Sequence, residues 1–216
     1  MSQRQPITVH RSQRENVSAS DLAAVHGLAI AAYVDHAGTT AHNAIAGIPV
    51  VSFATWRERL RNVPSVITAL DPATRRGMAE RIAVEGGSFI TLSRLGGPIS
   101  PSVNFGEGSL VTGESALSIN YATCFGRHVI LMTPASVGHD CTIGDFVTIF
   151  PSAVISGYVA LEDDVVLDVG SVIINGRTDR PLRIGRGARI EAGAVVTKPV
   201  PRGAIVAGNP GRVVRT

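Results

Sequence analysis

From about residue 100 onward the hydrophobic positions repeat every six residues. Ile119, Phe125, Leu131, Val137, Ile143, Ile149, Ile155, Leu161, Leu167 and Ile173 place a large apolar side chain at the same point of ten consecutive units. Four residues after the first nine of them comes a second, smaller set: Thr123, Val129, Ala135, Cys141, Val147, Ala153, Val159, Val165 and Ser171. A period of six matches neither the roughly 3.6 of a helix face nor the 2 of a half-buried strand. It matches a hexapeptide parallel β-helix, in which each unit is a short strand plus a turn and three units close one triangular coil. Each coil buries its aliphatics against the next, so stability comes from neighbour stacking. The beat breaks once, at INGRTDRPLR (174–183), which is predicted to leave the coil as a loop on one face. It resumes at Ile184, Ile190 and Val196, with Ala188 and Ala194 in the small set. Pro199, Pro201 and Pro210 then mark the expected end of strand pairing.

Residues 1–95 follow a different pattern. PITVH, AAYVD, GIPVVSF, SVITAL and SFITL read as strands. SASDLAAVHGLAI, with Ser18 or Ser20 as N-cap, TWRERLRN and DPATRRGMAERIAVEGG read as helices, the last ending at Gly86. Alternating strands and helices predict a small parallel α/β domain. The Gly/Pro/Ser-rich SRLGGPISPS places the boundary near residue 95, with the β-helix over 96–216.

Composition narrows the function classes. Only 5% of residues are aromatic, so the core is built from aliphatics. A net charge of +3 comes from scattered basic residues rather than a stripe, which gives nucleic-acid binding little support. Cys124 and Cys141 lack the pairing of a disulfide framework or a structural zinc site. No signal-peptide run and no stretch of roughly 20 apolar residues is present, so a cytoplasmic protein without membrane spans is expected. His128 and His139 fall short of the three histidines of a zinc carbonic anhydrase. No phosphate-binding signature of a sugar nucleotidyltransferase appears.

Within ASVGHDCTIGDF, Val137, Cys141 and Ile143 serve the repeat, while His139 and Asp140 are of types it does not require. On the residues alone two readings stand. His139 is either a polar corner residue or, with its carboxylate neighbour, an imidazole general base, the side chain best suited to accept a proton near neutral pH. His128 is a competitor on another turn, without an acidic neighbour.

A small α/β domain joined by GGPISPSV to hexapeptide coils carrying ILMTPASVGHDCTIGDFVTI resembles the sialic acid O-acetyltransferase family of sugar acyltransferases, which includes the nucleotide amino-sugar N-acetyltransferases. YVDH, AGIPVVSF, ISPSV, HDCTIGDF and VAGNPGRVV fall in family order over nearly the whole chain. The resemblance implies an N-terminal Rossmann-like acceptor domain, a left-handed β-helix, a homotrimer with active sites between subunits, acetyl-CoA as acyl donor and no metal. It implies His139 as base, Asp140 as its orienting carboxylate and Gly157 as a backbone donor facing the thioester carbonyl. The pantetheine arm would pass Val169, Gly170 and Ile190, with Arg177, Arg180, Arg186 and Lys198 as candidates for the phosphates. Arg11, Arg14, Asp35 and Asp71 are the acceptor-side candidates, for a sugar or nucleotide sugar.

Four departures accompany the resemblance. The family's Gly-rich turn after the first strand is HRSQRENVS here, and its later Gly-Asn loop is ALDPA. The family's Asn seven residues before the histidine is Met132, and its second histidine nine residues after is Thr148. These leave open an amine or a hydroxyl nucleophile, and leave as the alternative function a non-catalytic trimeric binding or scaffold protein with diverged acceptor loops.

Overall fold

The computed structural model describes residues 4–11, 23–24, 26–37, 43–93, 102–112 and 118–216. The chain divides into two units, Met1–Arg94 and Leu95–Thr216.

The first unit is built on a sheet of β1 (Pro6–Arg11), β2 (Ala29–Asp35), β3 (Ala44–Ile45), β4 (Ile48–Ser52) and β5 (Ser65–Ile67), in the order β3-β4-β2-β1-β5. All pairings are parallel except the β3-β4 hairpin, which turns at Ala46 and Gly47 with φ of 47° and 79°. β1 lies between two neighbours and its residues 7–10 are all buried, as a central parallel strand covered on both faces requires. Helix α1 (Phe53–Arg59) starts at Ser52, whose hydroxyl accepts from the Thr55 N–H, and buries Trp56. Helix α2 (Pro72–Val84) buries Met78, Ala79 and Ile82, and the chain leaves it through Gly86 at φ 77°. β1, β2 and β4 end in register: Arg11 pairs with Asp35, and Asp35 with Ser52. The proposed caps Ser18 and Ser20, most of the helix they would start, and Arg14 lie outside the described residues.

The second unit is a parallel β-helix. Through the regular coils, from Ile119 to Ile173, strands pair with those one coil later at an offset of eighteen residues: Phe125 with Ile143, Leu131 with Ile149, Val137 with Ile155. All the axis residues named from the period, from Ile119 to Val196, are buried, and so is the small set. Two polar members of that set are accommodated by bonding the next coil: Thr123 Oγ1 donates to Gly138 O at 2.8 Å and Cys141 Sγ to Ser156 O at 3.1 Å. The corners carry the cost of the tight turns. Ala122, His128, Asp140, Phe146, Ser152, Tyr158 and Asp164 all have φ between 54° and 63°, a left-handed conformation that disfavours side chains.

Past Ile173 the ladder jumps. Leu161 pairs with Ile184, twenty-three residues on, so the insertion is accommodated without losing register. It closes on itself through reciprocal backbone bonds between Arg177 and Arg180, and is anchored where Gly176 N–H and Leu182 N–H donate to Gly157 O and Tyr158 O. The expected stop at Pro199 and Pro201 does not occur. Ile205–Ala207 adds another parallel strand on Arg189–Ile190, and only Arg212–Arg215 reverses, pairing antiparallel as the closing strand. The two prolines flank Val200, which bridges Ile184 through its own N–H and carbonyl, so the bonds to the neighbouring coil are made by the residue between them. Among the described residues no helix is long and apolar enough to cross a membrane.

Candidate active site

The corner bearing His139 is held by its backbone. Gly138 N–H donates to Ile155 O at 2.7 Å, Asp140 N–H to Tyr121 O at 3.2 Å, and His139 O accepts from Tyr158 N–H at 3.0 Å. Coils on both sides therefore fix the turn, leaving its side chains for other work. Asp140 has φ 54°, and this left-handed bend brings two sequence neighbours, which in an extended strand would point apart, onto the same side. His139 Nδ1 and Asp140 Oδ2 lie 2.8 Å apart, with the two side chains 35% and 34% exposed. A carboxylate only accepts, so Nδ1 carries the proton and Nε2 keeps a lone pair facing outward from the pair.

Corner aspartates elsewhere on the helix do a different job. Asp145 accepts from the Arg127 N–H and guanidinium, both at 2.8 Å, and Asp163 Oδ1 accepts from the Asp145 N–H at 3.0 Å. Those carboxylates stitch one coil to the next. Asp140 is turned onto a histidine instead.

The eighteen-residue offset aligns Tyr121, His139, Gly157 and Asn175 at one corner of four successive coils. Tyr121, 58% exposed, stacks on the imidazole at 5.5 Å and 11°. Tyr158 meets it edge-on at 5.0 Å. Gly157 lies on the other face. A Cβ there would sit 2.8 Å from His139 Cε1 and Nε2, so the base overhangs a notch that exists because residue 157 has no side chain. Gly157 N–H donates to Asn175 Oδ1 at 2.9 Å. The amide expected to face a thioester is thus occupied by a side chain that no motif had marked, although counting eighteen from Gly157 reaches it. The same counting would have found Tyr121.

Other candidates separate by their surroundings. Val169 is 47% exposed, Gly170 is a corner residue at φ 67° and Lys198 is exposed, all open to solvent. Ile190 is corrected: its side chain is wholly buried on the helix axis and has no outward face for a pantetheine arm. Arg186 is paired with Asp163 at 2.7 Å, and Arg177 with Asp179 at 3.2 Å. His128 is a buried corner residue stacked on Phe146 at 4.9 Å. Burial pushes the Cys141 thiol up.

On the first unit, Arg11 and Asp35 stand side by side at the strand ends, with Asp35 Oδ1 accepting from Ala37 N–H at 2.9 Å. Asp71 is exposed and caps helix α2: Oδ2 accepts from Thr74 N–H at 2.8 Å and Thr74 Oγ1 at 2.7 Å. The unit also hides an imidazole pair, His10 Nδ1 to His36 Nε2 at 2.8 Å, with His10 Nε2 3.1 Å from Ser65 Oγ and its ring against Trp56. Burial, then His36, lowers the His10 pKa; burial and Arg81, opposed by Asp35, lower that of His36 to about 4.

No family model matches the chain. Comparison with known proteins gives a consistent picture nonetheless. The GDP-perosamine N-acetyltransferase of Escherichia coli O157:H7 is 34% identical over 141 residues, 65% of this chain. The chain is similar to sugar N-acetyltransferases. The match spans 63% of that relative's length. Among solved structures, the acetyltransferase domain of PglB from Neisseria gonorrhoeae in complex with acetyl coenzyme A is 25% identical at a TM-score of 0.83, covering 98% of this chain and 100% of that one. PerB from Caulobacter crescentus in complex with CoA and GDP-perosamine is 25% identical at a TM-score of 0.82, covering 96% of each.

Proposed function

We propose that the protein is an acyl-CoA-dependent acyltransferase that moves the acetyl group of acetyl-CoA to an amine of a nucleotide-linked sugar. The observation that carries this is the His139–Asp140 pair at 2.8 Å, its free imidazole edge set over the Gly157 notch. Such a pair suits abstraction of a proton from a nucleophile as it attacks a carbonyl. Similarity to proteins named as N-acetyltransferases, one of them solved with CoA and GDP-perosamine, favours an amine over a hydroxyl and a nucleotide sugar as its carrier.

In this reading the amine nitrogen bonds to the thioester carbon, the carbonyl π pair moves to oxygen, and the amine proton passes to His139 Nε2. Collapse re-forms the carbonyl and breaks the C–S bond, and the imidazolium returns the proton to the departing CoA sulfur. Asp140 holds the ring's tautomer and stabilises the cation between the two steps. No covalent enzyme intermediate and no metal is required. Val169, Gly170 and Lys198 are the proposed donor-side contacts. Arg11 and Asp35, at the ends of β1 and β2, are the proposed acceptor-side contacts, where strand carboxyl ends of a parallel sheet receive ligands. A left-handed, Rossmann-containing homotrimer in the cytoplasm belongs to the same reading.

The test is thiol release from acetyl-CoA with GDP-perosamine and a panel of amino- and hydroxy-sugars, for the wild type and His139→Ala. Loss of about 10²–10⁴-fold in the variant is expected. Undiminished turnover would remove His139 from the base role, and a wild type inert with every acceptor would favour a binding protein.

A further inference from the structure

The column Tyr121, His139, Gly157 and Asn175 assigns a role to its last member. Gly157 is the gap in that column, with His139 on one side and Asn175 on the other. Resting on the acyltransferase reading, we infer that Asn175 is a catalytic residue, whose carboxamide N–H donates to the thioester oxygen as negative charge develops there.

The argument starts from the orientation of the amide. A backbone N–H can only donate, so the end of Asn175 that meets Gly157 N–H at 2.9 Å is Oδ1. The carboxamide is planar, which puts Nδ2 and its two N–H groups at the opposite end, on an exposed residue at the rim of the notch. Accepting a bond at Oδ1 polarises the amide and strengthens what Nδ2 donates. The Gly157 N–H, in turn, is committed to Asn175. Of the two groups that could stabilise an oxyanion beside His139, the side chain is the one with hydrogens to spare. Position also matters: a carbonyl seated on the side-chain-free floor at 157 has the base on one side and this donor on the other, as attack from one direction and charge build-up on oxygen demand.

The insertion supports the placement. The chain leaves the regular coil directly after Asn175, and the hairpin that follows is tied to the same corner by Gly176 N–H to Gly157 O and Leu182 N–H to Tyr158 O. Asn175 is therefore held at the base of an anchored hairpin rather than on a free loop.

The experiment uses the full chain, [1-13C]acetyl-CoA and infrared difference spectroscopy, with kinetics alongside. The thioester carbonyl stretch of the bound donor is expected to fall relative to free acetyl-CoA in the wild type. The fall should be lost in Asn175→Ala and in Asn175→Asp, which keeps the acceptor for Gly157 but has no N–H. Both variants should lose roughly 10²–10³-fold in kcat with little change in KM for acetyl-CoA. If the stretch and kcat are unchanged or kcat rises in Asn175→Ala, the freed Gly157 amide is the donor and Asn175 only occupies it, which overturns the inference while leaving the acyltransferase reading intact. If acetyl-CoA does not bind the wild type at all, the acyltransferase reading itself fails.

Discussion

Gly157→Ala adds one methyl group at the floor of the notch. Its carbon would lie 2.8 Å from His139 Cε1 and Nε2 and 3.2 Å from Cδ2, against about 3.5–4.0 Å for an ordinary carbon contact. The imidazole must retreat by roughly 0.7–1.2 Å, and it cannot do so without disturbing the 2.8 Å bond to Asp140 and the stack on Tyr121. A misplacement of about 1 Å at a reacting group costs on the order of 10²-fold in rate. Folding should not suffer in proportion. Gly157 is not among the residues with positive φ, so alanine fits the backbone, and a Gly→Ala exchange at such a site gains about 0.4–1 kcal/mol through the unfolded chain. The substitution therefore separates chemistry from stability: kcat for thiol release at saturating acetyl-CoA should fall about 10²-fold while the thermal midpoint holds or rises. A variant that folds normally and turns over at the wild-type rate would show that nothing reacts in the space beneath His139.

Asp140→Asn keeps the shape of the corner but removes the charge that steadies the imidazolium; kcat should drop roughly 10–10²-fold, with unchanged circular dichroism, and a rate equal to wild type would leave His139 acting alone. The His10–His36 pair makes the first unit acid-sensitive: both folded pKa values lie below the unfolded value near about 6.5, that of His36 at about 4. The unfolded chain then takes up protons the folded one refuses, so stability is complete above about pH 6.5 and is lost as pH falls towards about 4, by at most about 1.4 kcal/mol per pH unit for each histidine. Urea titrations followed by Trp56, the chain's one tryptophan and a ring neighbour of His10, should show this slope, and His36→Gln should flatten it. Ala122→Gly relieves a left-handed corner at φ 56° on an exposed residue and should stabilise the β-helix by about 1 kcal/mol in chemical denaturation; a destabilised variant would mean that the corner carries no strain.

Much of the second unit could be read from the chain because its physics is local and repetitive. One large apolar residue every six positions can be buried in few ways, and Ile119 to Val196 all lie on the axis as that period requires. The strand ends at Arg11 and Asp35 were equally legible, since PITVH and AAYVD have the apolar character of buried parallel strands. Pattern failed where one residue type serves two purposes. Asp71 stood both at the start of a predicted helix and among the acceptor candidates, and its Oδ2 caps the first turn of α2. Ile190 belonged to both the axis set and the proposed groove, and burial decided for the axis. Pro199 and Pro201 suggested a stop that the added strand at Ile205–Ala207 overrides.

By itself the sequence determined the coil, its interior and the pair His139–Asp140 as the residues the repeat does not need. Whether those neighbours could touch was a matter of one backbone angle, the left-handed φ of Asp140, and sequence does not encode that angle at a residue other than glycine with any certainty. What faces His139 was decided by stacking. Tyr121, Gly157 and Asn175 are distant along the chain and adjacent in space because each coil takes eighteen residues and rests on the one before. The chemistry of the corner is therefore a property of the column, which exists only after the coils have closed.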